Sequence, residues 1–210
     1  MNTEQVEFWQ SEFGVHYTER NTFTVEELGE FYTRHFGVTR ERMNRSVLGD
    51  LPLQSFLEVG CNVGNQLRCL QSMGYKNLYG IELQHYAVEK AKSLTEGINI
   101  ILGNAFDLPF KDGYFDVVFT SGVLIHISPD NLPLIMDEMV RTSKRYIWGF
   151  EYYSESIREI DYRGNANKLW KADYKQLFLD RYPSLRLVKE QRFDYVGSDN
   201  SDNMYLLEKH

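Results

Sequence analysis

The sequence predicts an α/β protein with a seven-stranded, mostly parallel sheet, a C-terminal antiparallel hairpin and helices on both faces of the sheet. From Ser55 onward, short apolar runs alternate with amphipathic stretches, which is the pattern of parallel strands joined by helices. Two further strand-like runs, at 185–188 and 204–207, close the chain and predict the hairpin. Before Ser55, residues 4–50 are predicted to form two or three helical pieces that are rich in aromatic residues.

The elements of the core follow from hydrophobic periodicity. The predicted strands lie at about 55–59, 77–82, 98–102, 115–120 and 145–150, and the predicted helices at about 64–73, 84–95, 131–143 and 171–181. The helix at 131–143 is the clearest, because apolar residues repeat at helical spacing from Leu132 to Val140. Pro133 is compatible with this helix only in the first turn, so the helix should begin near Asp130.

Length and composition narrow the class of protein. The 210 residues suit one α/β domain, and the net charge of −7 disfavours binding to nucleic acid, which requires clustered Lys and Arg. No apolar run reaches the roughly 18–20 residues that span a bilayer, and the start of the chain lacks a secretory signal, so no membrane association is expected. The two sparse cysteines, Cys61 and Cys69, indicate a reducing cytoplasm. No metal site is predicted, because metal-ligand spacing is absent around His16, His35, His85 and His210.

A glycine-containing turn follows the first predicted strand. The strand at 55–59 runs directly into residues 60–65, Gly-Cys-Asn-Val-Gly-Asn, and then into a helix. In this arrangement backbone N–H groups meet a ligand at the helix N-terminus. Asn62 stands where many such turns have glycine, but asparagine tolerates left-handed backbone well. The residues expected to contact the ligand are Glu58, Gly60, Asn62, Gly64 and Asn65.

An acidic residue ends the next predicted strand. Glu82 lies where a carboxylate can accept hydrogen bonds from both ribose hydroxyls of an adenosyl group, with Leu83 beside it. NAD-binding proteins share the turn and the acid, but their turn reads G-x-G-x-x-G, and Asn62 and Asn65 replace two of those glycines here. The pattern therefore favours an adenosyl cofactor other than NAD.

Two more segments complete a series of motifs. Residues 103–110 follow the third predicted strand, and residues 113–118 open the fourth. Together with the turn, they resemble the consecutive motifs of class I S-adenosylmethionine-dependent methyltransferases, which have a Rossmann-like fold. The resemblance implies S-adenosylmethionine as the cofactor, with Asn104 accepting a hydrogen bond from the adenine amino group and Ala105 contacting the ring. The family usually has Asp at the position of Asn104, whose amide oxygen can still accept this bond.

The outer segments carry a narrower resemblance. Residues 8–21, 122–127, 151–153, 162–164 and 169–173 resemble pseudaminic acid biosynthesis-associated methylases, so the similarity extends over nearly the whole chain. It implies a cytoplasmic enzyme that methylates a sugar or nucleotide-linked sugar in the synthesis of nonulosonic acid or a related surface glycan.

No linker or repeat divides the chain, so one methyltransferase domain is expected over 1–210. Within it we expect a helical extension or lid at 1–50 and a Rossmann-like core at 51–210, with an insertion near 151–173 on the acceptor side. Tyr17 and Arg20 are expected to close over the cofactor, with Arg20 holding the methionine carboxylate.

Methyl transfer requires alignment, exclusion of water and, for a hydroxyl acceptor, a general base. Ser121 ends the fourth predicted strand, at the edge where ligands bind in open α/β sheets, and is expected to contact the cofactor. His126 follows it, and the ordinary pKa of histidine suits a base near neutrality. Glu151, after the fifth strand, is the second candidate base. The alternative for His126 is a histidine packed beneath the next helix.

Aromatic and basic residues follow Glu151. Aromatic faces can cover the apolar side of a sugar, and Arg or Lys can hold a phosphate or carboxylate, so the predicted acceptor is sugar-like and anionic. The expected contacts are Tyr152, Tyr153, Tyr162, Arg163 and Lys171. The alternative is a solvated loop that ties down a surface helix. Two other functions remain open: a non-catalytic regulatory protein that binds S-adenosylmethionine, and a methyltransferase for an unrelated small metabolite.

Overall fold

Seven strands form one sheet in the computed structural model, which describes residues 3–49 and 51–210. Residues 1, 2 and 50 of the predicted N-terminal extension lie outside the described residues. The strands are β1 (Phe56–Val59), β2 (Leu78–Glu82), β3 (Ile98–Leu102), β4 (Phe115–Ser121), β5 (Ser143–Tyr152), β6 (Arg158–Glu159), β7 (Trp170–Lys171), β8 (Leu185–Asp194) and β9 (Ser201–Lys209). The sheet order is β3-β2-β1-β4-β5-β9-β8, and β6 pairs separately with β7.

The strand directions agree with the predicted fold class. Strands β1 to β5 pair in parallel, whereas β9 is antiparallel to both β5 and β8. The Rossmann-like fold with a C-terminal hairpin is therefore confirmed. The hairpin strands are longer than predicted: β8 continues to Asp194, and β9 already begins at Ser201. This earlier start adds Asp202 to the sheet.

Helices precede the sheet and connect its strands. They are α1 (Glu4–Gln10), α2 (Glu12–Arg20), α3 (Val25–Phe36), α4 (Arg40–Leu48), α5 (Asn65–Ser72), α6 (His85–Leu94), α7 (Leu132–Thr142) and α8 (Tyr174–Arg181). The prediction of two or three N-terminal pieces was wrong, because four helices are described before β1. Ser11 ends α1 and its side chain caps α2, and the side chain of Thr39 caps a separate α4.

The helix α7 follows its prediction closely. It begins at Leu132 with Pro133 in the first turn, where the missing N–H group leaves no carbonyl unpaired. Its buried residues, from Leu132 to Met139, pack against the sheet. None of the helices in the described part of the chain is long and apolar enough to span a membrane.

Both faces of the central strands are buried. Neighbouring residues alternate between two apolar cores, so Leu57, Val118 and Ile147 lie in one core, while Val117 and Trp148 lie in the other. The first core is completed by α7 and α8, and the second by α4, α5 and α6. With both faces covered by helices, the carboxyl ends of the parallel strands form the edge that remains for a ligand.

Candidate functional site

A cavity of about 580 Å³ lies along the carboxyl ends of the parallel strands. Its volume is within the range of small-molecule sites. Six neighbouring strands of the sheet, β3, β2, β1, β4, β5 and β9, each contribute a lining residue at or just beyond this edge. In that order the residues are Asn104, Glu82, Gly60, Ser121, Glu151 and Asp202. The cavity therefore extends across six neighbouring strands rather than over one turn.

The turn after β1 adopts the left-handed backbone that its sequence predicts. The φ angles are 76° at Gly60, 47° at Asn62 and 75° at Gly64. A Cβ atom on Gly60 would lie 2.8 Å from a methyl carbon of Val123, so only glycine fits there. The expectation that Asn62 takes a left-handed conformation is confirmed. Gly64 itself precedes α5 as its N-cap and does not line the cavity.

Glu82 is held in a fixed orientation at the end of β2. One carboxylate oxygen accepts the N–H of Asn62 at 2.8 Å, and the other accepts the N–H of Gln84 at 2.8 Å. Burial raises the pKa of Glu82, and these backbone hydrogen bonds oppose the rise. Each oxygen keeps a second lone pair, so the carboxylate can still accept hydroxyl groups from a ligand.

Glu58 lies beneath the same turn. Its side chain is 4% exposed, and Oε2 has no hydrogen-bond partner among the described residues. Burial raises the pKa of Glu58 well above its ordinary value, and the guanidinium of Arg40 acts in the opposite direction. A buried carboxylate oxygen without a partner fits a ligand that brings positive charge. S-adenosylmethionine brings both a sulfonium and an ammonium group, so the residues present fit this cofactor.

The N-terminal helices close over the turn. The Thr18 hydroxyl on α2 lies 3.1 Å from Oδ1 of Asn62 and 3.0 Å from Oε1 of Gln84, and Gln84 in turn donates to the Trp9 carbonyl at 2.9 Å. Asn65 donates to the Asn21 carbonyl at 2.6 Å. The extension is thus joined by hydrogen bonds to the segments that would hold a cofactor.

The two lid residues singled out from the sequence differ in position. Tyr17 lines the cavity, and burial raises the pKa of its hydroxyl. Arg20 is exposed and does not line the cavity; its guanidinium lies 6.0 Å from the centre of the Phe13 ring. The structure therefore does not bring Arg20 to the methionine end of the site.

His126 is buried in the wall of the cavity. Its Nδ1 atom lies 2.7 Å from the Lys168 carbonyl oxygen, and the rings of Trp9 and Tyr162 lie 4.7 and 4.9 Å from its own ring. Burial lowers the pKa of His126 to about 4, against the opposing effect of the Lys168 carbonyl. The imidazole is therefore neutral near pH 7. Because a carbonyl can only accept, the proton is on Nδ1 and the lone pair is on Nε2.

Glu151 anchors the loop that carries His126. Its two carboxylate oxygens accept the N–H groups of Val123 and Ile125 at 3.2 and 3.4 Å, at the start of a short 3₁₀ helix, Leu124–His126. Burial raises the pKa of Glu151 to about 7. Since both oxygens are already hydrogen-bonded to the loop, the geometry at Glu151 is that of an anchor rather than that of the base predicted from the sequence.

The predicted acceptor residues are only partly brought together. Tyr152, Tyr162 and Arg163 line the cavity, whereas Tyr153 and Lys171 do not. The ring of Tyr153 packs under the guanidinium of Arg192 at 3.4 Å, and the Lys171 ammonium is hydrogen-bonded to the side chain of Asn200. These contacts direct both side chains to partners on the C-terminal hairpin.

The remaining predicted cofactor contacts lie together. The predicted contacts Asn62, Asn65, Leu83, Asn104, Ala105 and Ser121 all line the cavity. The lining residues that were not predicted include Thr18, Tyr32, Gln84, Tyr195 and Asp202. Asp202 fell outside the predicted last strand, and only extension of that strand to Ser201 would have indicated it. Among the residues that the structure describes, no group of three or more His, Cys, Asp or Glu side chains could hold a metal ion.

The fold and the site resemble those of one class of protein. The sheet order β3-β2-β1-β4-β5-β9-β8, the left-handed turn after β1 and the fixed acid at the end of β2 are those of class I S-adenosylmethionine-dependent methyltransferases. Residues 57–146 match the family model described as a methyltransferase domain. The match covers less than half of the chain, and it agrees with the class and the cofactor predicted from the sequence.

Comparison with individual proteins agrees with this class. The chain is 32% identical over 110 residues to an O-methyltransferase of Aspergillus nomiae. The aligned region covers 50% of this chain and 45% of the relative. It is 30% identical over 100 residues to 24-methylenesterol C-methyltransferase 2 of Arabidopsis thaliana, covering 44% of this chain and 28% of the relative. The chain thus spans less than half the length of these two relatives.

A solved structure shows the same fold over the whole chain. Magnesium protoporphyrin IX methyltransferase from Synechocystis PCC 6803, crystallised with bound S-adenosylmethionine, superposes with a TM-score of 0.70 at 12% identity. The match covers 100% of this chain and 99% of that one. The narrower resemblance, to pseudaminic acid biosynthesis-associated methylases, stays a prediction.

Proposed function

We propose that the chain catalyses S-adenosylmethionine-dependent methyl transfer to a small-molecule acceptor. The observation that carries the proposal is the continuity of the cavity. The same cavity that is lined by the turn after β1 and by Glu82 continues past Ser121 to His126 and Tyr152. A cofactor at one end and an acceptor at the other would therefore share one enclosed space.

The cofactor half of the cavity provides binding and orientation. When bound, S-adenosylmethionine supplies an electrophilic methyl group on a positively charged sulfur. We assign the ribose hydroxyls to Glu82, the adenine to Leu83, Asn104 and Ala105, and the cationic methionine portion to the side of Glu58. The further residues assigned to the cofactor are Tyr17, Gly60, Asn62, Asn65 and Ser121.

The acceptor half supplies a proton acceptor and excludes water. The Nε2 lone pair of His126 can accept a hydrogen bond from the acceptor, and Nδ1 is held in the matching tautomer by Lys168. The ring of Trp9 packs edge-on against the imidazole, and the ring of Tyr162 packs against it at a tilt. We assign Glu151 a positioning role, because its carboxylate fixes the loop that carries His126.

We further propose that the acceptor is a sugar or a nucleotide-linked sugar. The aromatic faces of Trp9, Tyr152 and Tyr162 line the cavity and suit the apolar side of a sugar ring. A turn with left-handed backbone at Arg163 and Gly164 brings the exposed Arg163 to the lining, where it could hold a phosphate.

The test is a turnover assay with purified protein. We expect nucleotide-linked sugars incubated with protein and S-adenosylmethionine to gain the mass of one methylene, with equimolar release of S-adenosylhomocysteine. Turnover on an unrelated metabolite would retain methyl transfer and overturn the sugar acceptor. Tight cofactor binding without turnover on any acceptor would support the non-catalytic alternative instead.

A further inference from the structure

The far end of the cavity holds a buried acid that the sequence did not indicate. Asp202 is 3% exposed and lines the cavity where β9 begins, beside the end of β5. Oδ1 of this residue has no hydrogen-bond partner among the described residues, and Oδ2 accepts only a long hydrogen bond of 3.4 Å from the Tyr195 hydroxyl. A buried carboxylate this poorly paired is costly unless a ligand completes it.

Aromatic rings surround this acid. Tyr152 is the register partner of Asp202 in the β5–β9 pair, so their side chains leave the sheet on the same face. The rings of Tyr152 and Tyr195 are 5.8 Å apart, and those of Tyr32 and Phe150 are 6.0 Å apart. Because the Arg40 guanidinium already packs on the rings of Tyr32 and Phe150, we define Asp202 with Tyr152 and Tyr195 as the Asp202 subsite. Aromatic faces around a carboxylate are an environment that attracts organic cations.

The acid-rich lining of the whole cavity favours the same kind of ligand. Its lining includes four acids, Glu58, Glu82, Glu151 and Asp202, whereas Arg163 is the only Arg or Lys among the described lining residues. Glu82 and Glu58 lie at the cofactor end and Glu151 is hydrogen-bonded to its loop, so Asp202 is the acid left for the acceptor.

The nearest buried cation, Arg40, already has its hydrogen-bond partners within the protein. The guanidinium of Arg40 packs against the rings of Phe150 and Tyr32 at 4.3 and 4.9 Å, but Arg40 does not line the cavity. Its donors are directed to partners within the protein: Asn44, Gln66, Tyr32 and Ser121. The ionisable group presented to a ligand at this end is therefore Asp202.

We infer that the acceptor carries a basic amino group and that the Asp202 subsite binds this group as an ammonium ion. The inference rests on the proposed function, because it concerns the acceptor half of the same cavity, and it names the substrate class more closely. An amino sugar whose phosphate reaches Arg163 would satisfy both ends of the acceptor half. This adds a basic group to the sugar-like, anionic acceptor expected from the sequence.

Binding of an ammonium ion would be linked to proton release. Burial, and then repulsion by Glu151, raise the pKa of Asp202 to about 8, while Tyr195, Arg40 and Lys171 oppose the rise. Near pH 7 the carboxyl group is thus mostly protonated in the free protein. An adjacent ammonium ion favours the ionised form, so the carboxyl proton passes to the buffer as the ion pair forms.

The experiment uses three fragments with one ring and different charge: benzylammonium, benzyl alcohol and benzoate. Their binding to the complex with S-adenosylhomocysteine is measured by titration calorimetry at pH 7 in buffers of different ionisation enthalpy. We expect benzylammonium to bind at least about tenfold more tightly than the other two, with release of close to one proton. Asp202→Asn should abolish the preference, and the matched control Asp199→Asn, an exposed acid in the same hairpin, should retain it.

Each outcome decides the inference. Equal binding of the three fragments, a preference for benzoate, or a preference for benzylammonium that survives Asp202→Asn would overturn it. If Asp202→Asn does not fold, the fragment ranking and the proton count of the unmodified protein still decide. Failure of the unmodified protein to bind S-adenosylhomocysteine would count against the proposed function, whereas normal binding without the amine preference would overturn this inference alone.

Discussion

Nδ1 of His126 donates a hydrogen bond of 2.7 Å to the main-chain carbonyl oxygen of Lys168, a residue 42 positions further along the chain. The bond joins the 3₁₀ helix after β4 to the segment that leads into β7. It also fixes the tautomer, because Nε2 is left with the lone pair. The availability of a proton acceptor in the cavity therefore depends on how the segment after β5 folds back.

Replacement of His126 by glutamine tests its catalytic role. We expect kcat to fall about 100-fold or more, because a positioned general base contributes roughly 10²–10⁴-fold. The Kd for S-adenosylhomocysteine, measured by calorimetry, should change by less than about twofold, since His126 belongs to the acceptor half. The matched control is His16→Gln, on the exposed side of α2, which should retain full kcat. A fall in kcat of less than threefold would assign His126 to packing alone.

The pH dependence of the unmodified protein gives a separate test of His126. Burial lowers the pKa of this imidazole to about 4, so it is already deprotonated at pH 6 and above. We expect no loss of kcat attributable to His126 as the pH falls from 8 to 6. A titration of kcat with an apparent pKa near 6.5 that disappears in His126→Gln would contradict the buried, neutral imidazole.

Replacement of Glu82 by glutamine tests the cofactor half. The amide keeps the shape of the side chain, but its nitrogen would face the N–H of either Asn62 or Gln84. We expect the Kd for S-adenosylhomocysteine to rise about 10- to 150-fold, which corresponds to the roughly 1.5–3 kcal/mol of a hydrogen bond to a charged group. Glu89→Gln, on the exposed face of the following helix, is the control. Equal affinities of the two variants would exclude Glu82 from the cofactor site.

The elements that sequence analysis predicted well are those whose cause is local. Helix α7 has its apolar stripe and its N-terminal Pro133 within one short segment, and the central strands are mostly apolar on both faces. The break between α1 and α2 was missed, because helical periodicity continues across Ser11, whose side chain caps the second helix. A cap of this kind changes the direction of the chain without changing the hydrophobic pattern.

The candidate site likewise contains residues that the local sequence indicates and residues that only tertiary packing brings in. The residues of the turn after β1 and the acid Glu82 lie at strand ends in the sequence. The sheet topology alone therefore brings them together. Asp202 reaches the site through the antiparallel return of the chain after β8, and Thr18 reaches it through docking of α2. These placements depend on tertiary packing, and no local spacing indicates them.

Replacement of Thr18 by valine tests whether the N-terminal helices form a closed lid. The valine keeps the volume but removes the hydroxyl that lies between Asn62 and Gln84. We expect a stability loss of about 1 kcal/mol and faster amide hydrogen exchange confined to α1 and α2. Thr33→Val is the control, because that exposed hydroxyl only bonds the Gly29 carbonyl within α3. Uniformly faster exchange throughout the chain would indicate general destabilisation rather than a lid.

The pH dependence of stability tests the environment of Glu151. Burial raises its pKa from 4.5 to about 7 in the folded protein, so between these values the native state holds a proton that the unfolded state has released. The free energy of unfolding must therefore fall as the pH rises, by about 1.4 kcal/mol per pH unit and about 3 kcal/mol over the whole window. Glu151→Gln cannot ionise, so this part of the slope should vanish. Urea unfolding at pH 5, 6 and 7 measures the difference between the two proteins, to which the groups that do not interact with Glu151 contribute equally. The exposed Glu155→Gln should retain the slope of the unmodified protein, and parallel curves for Glu151→Gln would contradict the buried, proton-binding anchor.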